Sequence, residues 1–111
     1  MLRIIKTIEI DLSHERKRIN KCFKGDKDTR KHLHELMDLI EDCKWMKAYN
    51  LLRSEWWEEY DPKEEHSRLE FIGSPTDKNN DYVGGVGYSY ITLIEDMLMY
   101  PLWYKAEKVE A

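Results

Sequence analysis

Four stretches of the chain carry residue types with chemistry in them. The first is His32-Leu33-His34-Glu35 with Asp38. On a helix His34 and Asp38 lie four apart and His32 and Glu35 three apart, so each pair shares a face. Imidazole and carboxylate at that spacing can hold a transition metal. A closed zinc site needs four ligands, however, and a di-metal site needs a matching motif on a second helix. His66 beside Glu64 and Glu65 supplies no such match. The favoured reading is a solvated helix face of His–carboxylate pairs, with no metal and no other cofactor.

The second stretch is Gly84-Gly85-Val86-Gly87-Tyr88-Ser89, ahead of an expected helix. Glycines let a backbone approach a phosphate, and a helix N-terminus offers free N–H groups with a favourable dipole. Gly84, Gly85, Gly87, Tyr88 and Ser89 are therefore candidates for holding a nucleotide-like anion, with Arg68 and Lys78 as charge partners. Neither the dinucleotide fingerprint nor a Walker loop is present. The plainer reading is a connector followed by a serine cap.

The third is Ser54-Glu55-Trp56-Trp57-Glu58-Glu59-Tyr60. Adjacent tryptophans point about 100° apart on a helix, so both cannot lie on one narrow stripe. Trp57, ringed by Glu58, Glu59 and Asp61, is either packed by separate neighbours or an interface anchor. Tyr60, Tyr100, Trp103 and Tyr104 join it as partner-binding candidates. The acidic ring would repel phosphate, which argues against a nucleic-acid stacking platform. The fourth stretch is the basic run from Arg16 to Lys31. It could track phosphates, but Asp26 and Asp28 interrupt it and only Phe23 interleaves it, so nucleic acid is not the expected partner. Nucleophilic catalysis has little support: there is no GxSxG, and neither Cys22 nor Cys43 adjoins a histidine. The carboxylates from Glu55 to Glu65 read as a solvated face, and no catalytic residue is assigned.

The elements that must position these groups follow from periodicity. Residues 3–12 read as a strand, with Ile8, Ile10 and Leu12 alternating with polar residues, while Ile4, Ile5, Ile8 and Leu12 also fit the spacing of a competing helix. Ser13 caps a basic helix over 14–24, with Ile19, Cys22 and Phe23 as its apolar stripe and Gly25 as its stop. Asp28 or Thr29 caps a helix over 29–42 whose face is Leu33, Leu36, Met37 and Ile40. After a break at Asp42-Cys43-Lys44, a helix over 45–60 carries Trp45, Tyr49, Leu52 and Trp56. The two pair as a central αα-hairpin. Asp61-Pro62 opens a short turn, Leu69 to Ile72 a short strand, residues 73–81 a loop, and Tyr82 to Val86 another brief strand. Ser89 caps an apolar helix over 90–100, ended by Pro101.

The fold class expected is α+β, predominantly helical: N-terminal strand, basic helix, αα-hairpin, short strand/loop region and apolar C-terminal helix. Residues 1–104 form one domain and 105–111 a charged tail that frays. The 111 residues suit one domain. Their charged fraction of 36% would suit disorder, but 12% aromatic residues argues for a packed chain. No apolar run approaches a membrane span, and the start lacks a signal-peptide core, so a cytoplasmic protein is expected. Ten Lys/Arg oppose five Asp/Glu over residues 1–34, while the rest of the chain is acidic, to a net −4.

The last helix is apolar on more than one face. In a small domain this predicts a homo-oligomer, most simply a dimer, that uses this helix or the αα-hairpin. The leading functional expectation is a non-enzymatic interaction module, an adaptor or inhibitor, that binds another protein through aromatic anchors. Small acidic domains of this composition occur among accessory proteins of viruses and mobile elements, an analogy of composition alone. The alternatives are a binder of a nucleotide-like anion at Gly84–Ser89 and a small metal-dependent hydrolase or nuclease.

Overall fold

The computed structural model describes residues 2–4, 8–53, 68–77, 79, 81–84, 88–104 and 106–108. Within them the chain runs β1 (Leu2–Ile4), β2 (Ile8–Ile10), α1 (Leu12–Cys22), α2 (Lys27–Glu41), α3 (Trp45–Leu52), α4 (Arg68–Gly73), α5 (Tyr90–Met99) and β3 (Ala106–Lys108). The architecture is predominantly helical. The three strands, each three residues long, form one antiparallel sheet in the order β2-β1-β3. Residues 3–12 are thus not one strand: Leu2 pairs with Ile10 across two strands, and Leu12 already belongs to α1. Ala106–Lys108, in the stretch expected to fray, pairs with β1.

Asp11, not Ser13, caps α1, its carboxylate accepting the His14 N–H at 3.1 Å. The earlier cap puts Leu12, Glu15, Ile19 and Phe23 on one buried stripe, the i, i+3, i+4 spacing of a core face. Gly25 is not the left-handed stop expected of it, since among described glycines only Gly84 has positive φ. Phe23 closes α1 instead, and Arg30 from α2 donates to the carbonyls of Phe23 and Lys24.

Asp26 caps α2, ahead of the expected Asp28 or Thr29, accepting the Thr29 N–H at 3.0 Å and its hydroxyl at 2.6 Å. Helices α1 and α2 run antiparallel. Arg16 bridges Asp38 at 2.8 Å and Glu41 at 2.9 Å, Asn20 meets His34, and Arg30 reaches Phe23. The hairpin expected between α2 and the following helix also forms, since α2 packs against α3. Leu33, Leu36, Met37 and Ile40 are all fully buried, as their spacing requires.

The α2–α3 corner is a Schellman turn. Lys44 N–H donates to Leu39 C=O at 2.9 Å and Cys43 N–H to Ile40 C=O at 3.0 Å. This geometry needs a left-handed residue at the C′ position, normally glycine. Cys43 takes it with φ 56°.

Two further elements differ from expectation. Leu69 to Ile72 is helical, within α4, because Phe71 and Ile72 are adjacent and both buried, whereas alternation would expose one. Tyr82 to Val86 is no strand in its described part: Tyr82 makes one isolated bridge with Thr76, and Val83 N–H donates to Pro75 C=O at 2.9 Å. Helix α5 begins where expected, with the Ser89 hydroxyl accepting the Thr92 N–H at 3.1 Å. It packs against α3 and α4, and Tyr90, Leu93, Ile94 and Met97 are buried. Ala48 of α3, fully buried, leaves room for a helix to approach. Much of the surrounding that α5 was expected to take from a second copy comes from its own chain.

Left-handed backbone costs a residue with a Cβ roughly 1–2 kcal/mol, partly offset by glycine's greater freedom when unfolded. Cys43→Gly should therefore raise stability by about 0.5–1 kcal/mol, read as a higher urea midpoint at unchanged slope. An unchanged or lower midpoint would show that side-chain contacts of Cys43 offset the strain.

Candidate functional site

Glu15 sits on the apolar stripe of α1 and is fully buried. An unpaired buried carboxylate is costly, so its surroundings must answer it. They do so from three directions. Its Oε1 accepts the Tyr90 hydroxyl of α5 at 2.7 Å, the Thr76 N–H at 3.1 Å and Arg18 Nη2 at 3.1 Å. Its Oε2 lies 2.7 Å from Arg18 Nε, an ion contact in which the N–H is not aimed at the oxygen. Arg18 also donates to the Ser74 carbonyl at 3.0 Å, and its guanidinium lies 4.0 Å from the centroid of the Phe71 ring. Phe71 in turn stacks on Tyr90 at 6.1 Å and meets Phe23 edge-on. One carboxylate thus joins α1, the 74–76 turn and the start of α5.

Burial pushes the Glu15 carboxyl up from its ordinary 4.5, and Arg18, Tyr90, Thr76 and His14 oppose that without cancelling it. Burial first, then the Glu15 charge, raises the Tyr90 phenol well above its usual value, so it remains a donor. Sequence reading missed this cluster. The one available signal was a glutamate at a position where Leu12 and Ile19 continue an apolar stripe.

Anchored at Tyr90, α5 delivers its far end to the surface. Tyr100 ends the helix, and the Trp103 and Tyr104 N–H groups both donate back to its carbonyl at 3.0 Å. This turn displays Met99, Tyr100, Leu102 and Trp103, exposed by 66, 48, 91 and 63%. Tyr104 is half-buried against the core, its ring 6.4 Å from that of Tyr100. Of the partner-binding candidates, Tyr100, Trp103 and Tyr104 therefore come together. Met99 and Leu102 join them although the sequence reading did not single them out as anchors. Trp57 and Tyr60 lie outside the described residues.

The glycine segment is partly engaged with its own fold. Gly84 has φ +73°, and a Cβ there would stand 2.7 Å from the Tyr88 ring. Tyr88 packs against the core, and burial, with Asp96 and Tyr104 nearby, raises its phenol. The Ser89 hydroxyl is committed to its cap and lies 3.0 Å from Thr92 Oγ1. Gly85 and Gly87 lie outside the described residues.

The His–carboxylate face disperses. His32 Nδ1 lies 2.8 Å from the Asp28 carbonyl, His34 Nε2 lies 2.7 Å from Asn20 Oδ1, and Asp38 faces Arg16. Glu35 is exposed. Burial and then the Arg16 charge lower His34 from the usual imidazole value, against the pull of Asp38. Among the described residues, no group of three His, Cys, Asp or Glu side chains could hold a metal ion.

Tyr90→Phe removes a hydrogen bond to a buried charged acceptor and should cost about 1.5–3 kcal/mol. Glu15→Ala strands Arg18 and should cost about 3–5 kcal/mol. Because the folded-state carboxyl is raised, its contribution is complete below about pH 4.5 and is lost as pH climbs through the folded value. Denaturant titrations from pH 4 to 7 should show the stability of the parent falling relative to Glu15→Gln. A difference that stays flat or grows with pH would contradict that assignment. Gly84→Ala should lower the melting temperature by several degrees, since it meets both the Tyr88 ring and a left-handed φ; unaltered melting would exclude this packing.

Compared with protein-family models, with curated proteins and with solved structures, the chain matches none.

Proposed function

We propose that the protein is a non-enzymatic interaction module, an adaptor or inhibitor, that inserts the aromatic edge at the end of α5 into an apolar groove of another protein. The observation that carries this reading is the run of exposed large apolar side chains at Met99, Tyr100, Leu102 and Trp103. Large exposed apolar patches, unlike single scattered residues, mark interaction sites. Tyrosine and tryptophan supply large contact areas for little lost side-chain freedom, and they dominate interface energetics. The backbone bonds to the Tyr100 carbonyl hold the display in one shape, which lowers the ordering cost of docking.

Two findings weigh against the alternatives. Ser89 is used by its own helix, and the His–carboxylate pairs point to separate neighbours. No helix among the described residues is long and apolar enough to cross a membrane. Capture from an extract of the native host by immobilised protein, compared with Trp103→Ala and Leu102→Ala, tests the proposal. Hot-spot truncation should cost about 2 kcal/mol or more, roughly thirtyfold in affinity. Equal capture by all three proteins would exclude this edge as the anchor. Light scattering that showed stable dimers lost on Trp103→Ala would assign the edge to a second copy instead.

A further inference from the structure

The tip of the α1–α2 hairpin carries a concentrated positive charge, separate from the aromatic edge. Because the helices run antiparallel, the last turns of α1 and the first turns of α2 meet at one end. That end presents Lys21, Lys24, Lys27 and Lys31, all exposed, with exposed Lys17 one turn further back on the Lys21 stripe. Among the described residues none of these lysines has an ion-pair partner. At the opposite end Arg16 is neutralised by Asp38 and Glu41.

Three features of the tip sharpen its sign. Asp26, which in sequence interrupts the basic run, turns its carboxylate onto the Thr29 N–H and hydroxyl. Asp28, exposed, is the second carboxylate at the tip, and the two together are outnumbered by the lysines. The carbonyl end of α1 would be a negative pole, but Arg30 covers the Phe23 and Lys24 carbonyls. The start of α2 brings the positive end of its own dipole to the same place, where the Asp26 cap meets it.

We propose that this tip is a second binding surface, which takes the phosphate backbone of a nucleic acid without reading its sequence. Lysine acts on phosphate as a rotatable point charge that needs no fixed approach geometry, which suits a backbone held without sequence readout. The one aromatic of the tip, Phe23, is buried, so no base-stacking platform accompanies the charges. The net charge of −4 does not prevent local contact, because charges beyond about 8–10 Å are screened at physiological salt.

The test is fluorescence anisotropy with a labelled 24-base-pair duplex of arbitrary sequence, from 50 to 200 mM salt. Four lysines displacing counterions should give a slope of log K against log salt of about −3 to −4, a loss of roughly 100-fold across that range. Lys24→Gln with Lys27→Gln should reduce the slope by about two, and Lys24→Glu with Lys27→Glu should weaken binding at least tenfold. Both pairs are surface changes, and circular dichroism confirms their fold. An unrelated duplex should bind equally well. Failure to bind at 50 mM salt, or charge-reversed protein that binds like the parent, overturns the proposal. So does a poly-glutamate peptide that competes as strongly as the duplex, which would assign the tip to an acidic protein. Trp103→Ala should leave duplex binding unchanged, which separates this surface from the aromatic edge.

Discussion

The fold depends on the solution found for one buried charge. Glu15 occupies a core-facing position of α1, and a carboxylate taken from water without partners would cost several kcal/mol. Its three donors come from Arg18, Thr76 and Tyr90, of which the last two are 61 and 75 residues away. A compact arrangement that failed to bring the 74–76 turn and α5 onto α1 would leave the charge unsatisfied. The cluster thus serves specificity of assembly more than net stability, since an apolar trio of similar volume could be equally stable.

From that point the rest of the molecule can be traced. Tyr90 starts α5 and is held at both ends, its ring stacked on Phe71 and its hydroxyl on Glu15. Helix α5 then lies on α3 and α4 and fills the core with Leu93, Ile94 and Met97. Its direction, set at Tyr90, carries Met99 to Trp103 outside the core. The aromatic edge lies in the turn after the last buried residue of α5, Met97. The lysine tip has a different origin. It follows from the short Phe23–Asp26 connection, which folds two amphipathic helices back on each other and gathers the polar residues of their joined ends.

Much of this was legible in the sequence. The face Leu33, Leu36, Met37 and Ile40, the Ser89 cap and the corner at 42–44 follow from helical spacing and local hydrogen bonding, which act within a few residues. Caps at Asp11 and Asp26 were missed by a few residues, because serine, threonine and aspartate are near-equivalent caps and only the backbone decides among them. Leu69 to Ile72 is too short for periodicity to separate strand from helix. Its helical state is set by Phe71, which packs between Phe23 and Tyr90. Gly25 showed the converse error, for a glycine permits a left-handed residue without requiring one, and Cys43 adopts it where the turn demands it.

By itself the sequence determined a helical domain, its main apolar faces, the basic front and the surplus of aromatic residues near the C-terminus. These are properties of composition and of spacing along a helix. Tertiary structure alone decided that Glu15 belongs to the core, that Asp26 is withdrawn from the basic run, and that α5 is enclosed at Tyr90 yet exposed at Trp103. The first and last of those outcomes depend on groups far apart in the chain, and no local pattern records which distant donor will meet a given charge; the second is a local cap that several nearby residues could equally have supplied.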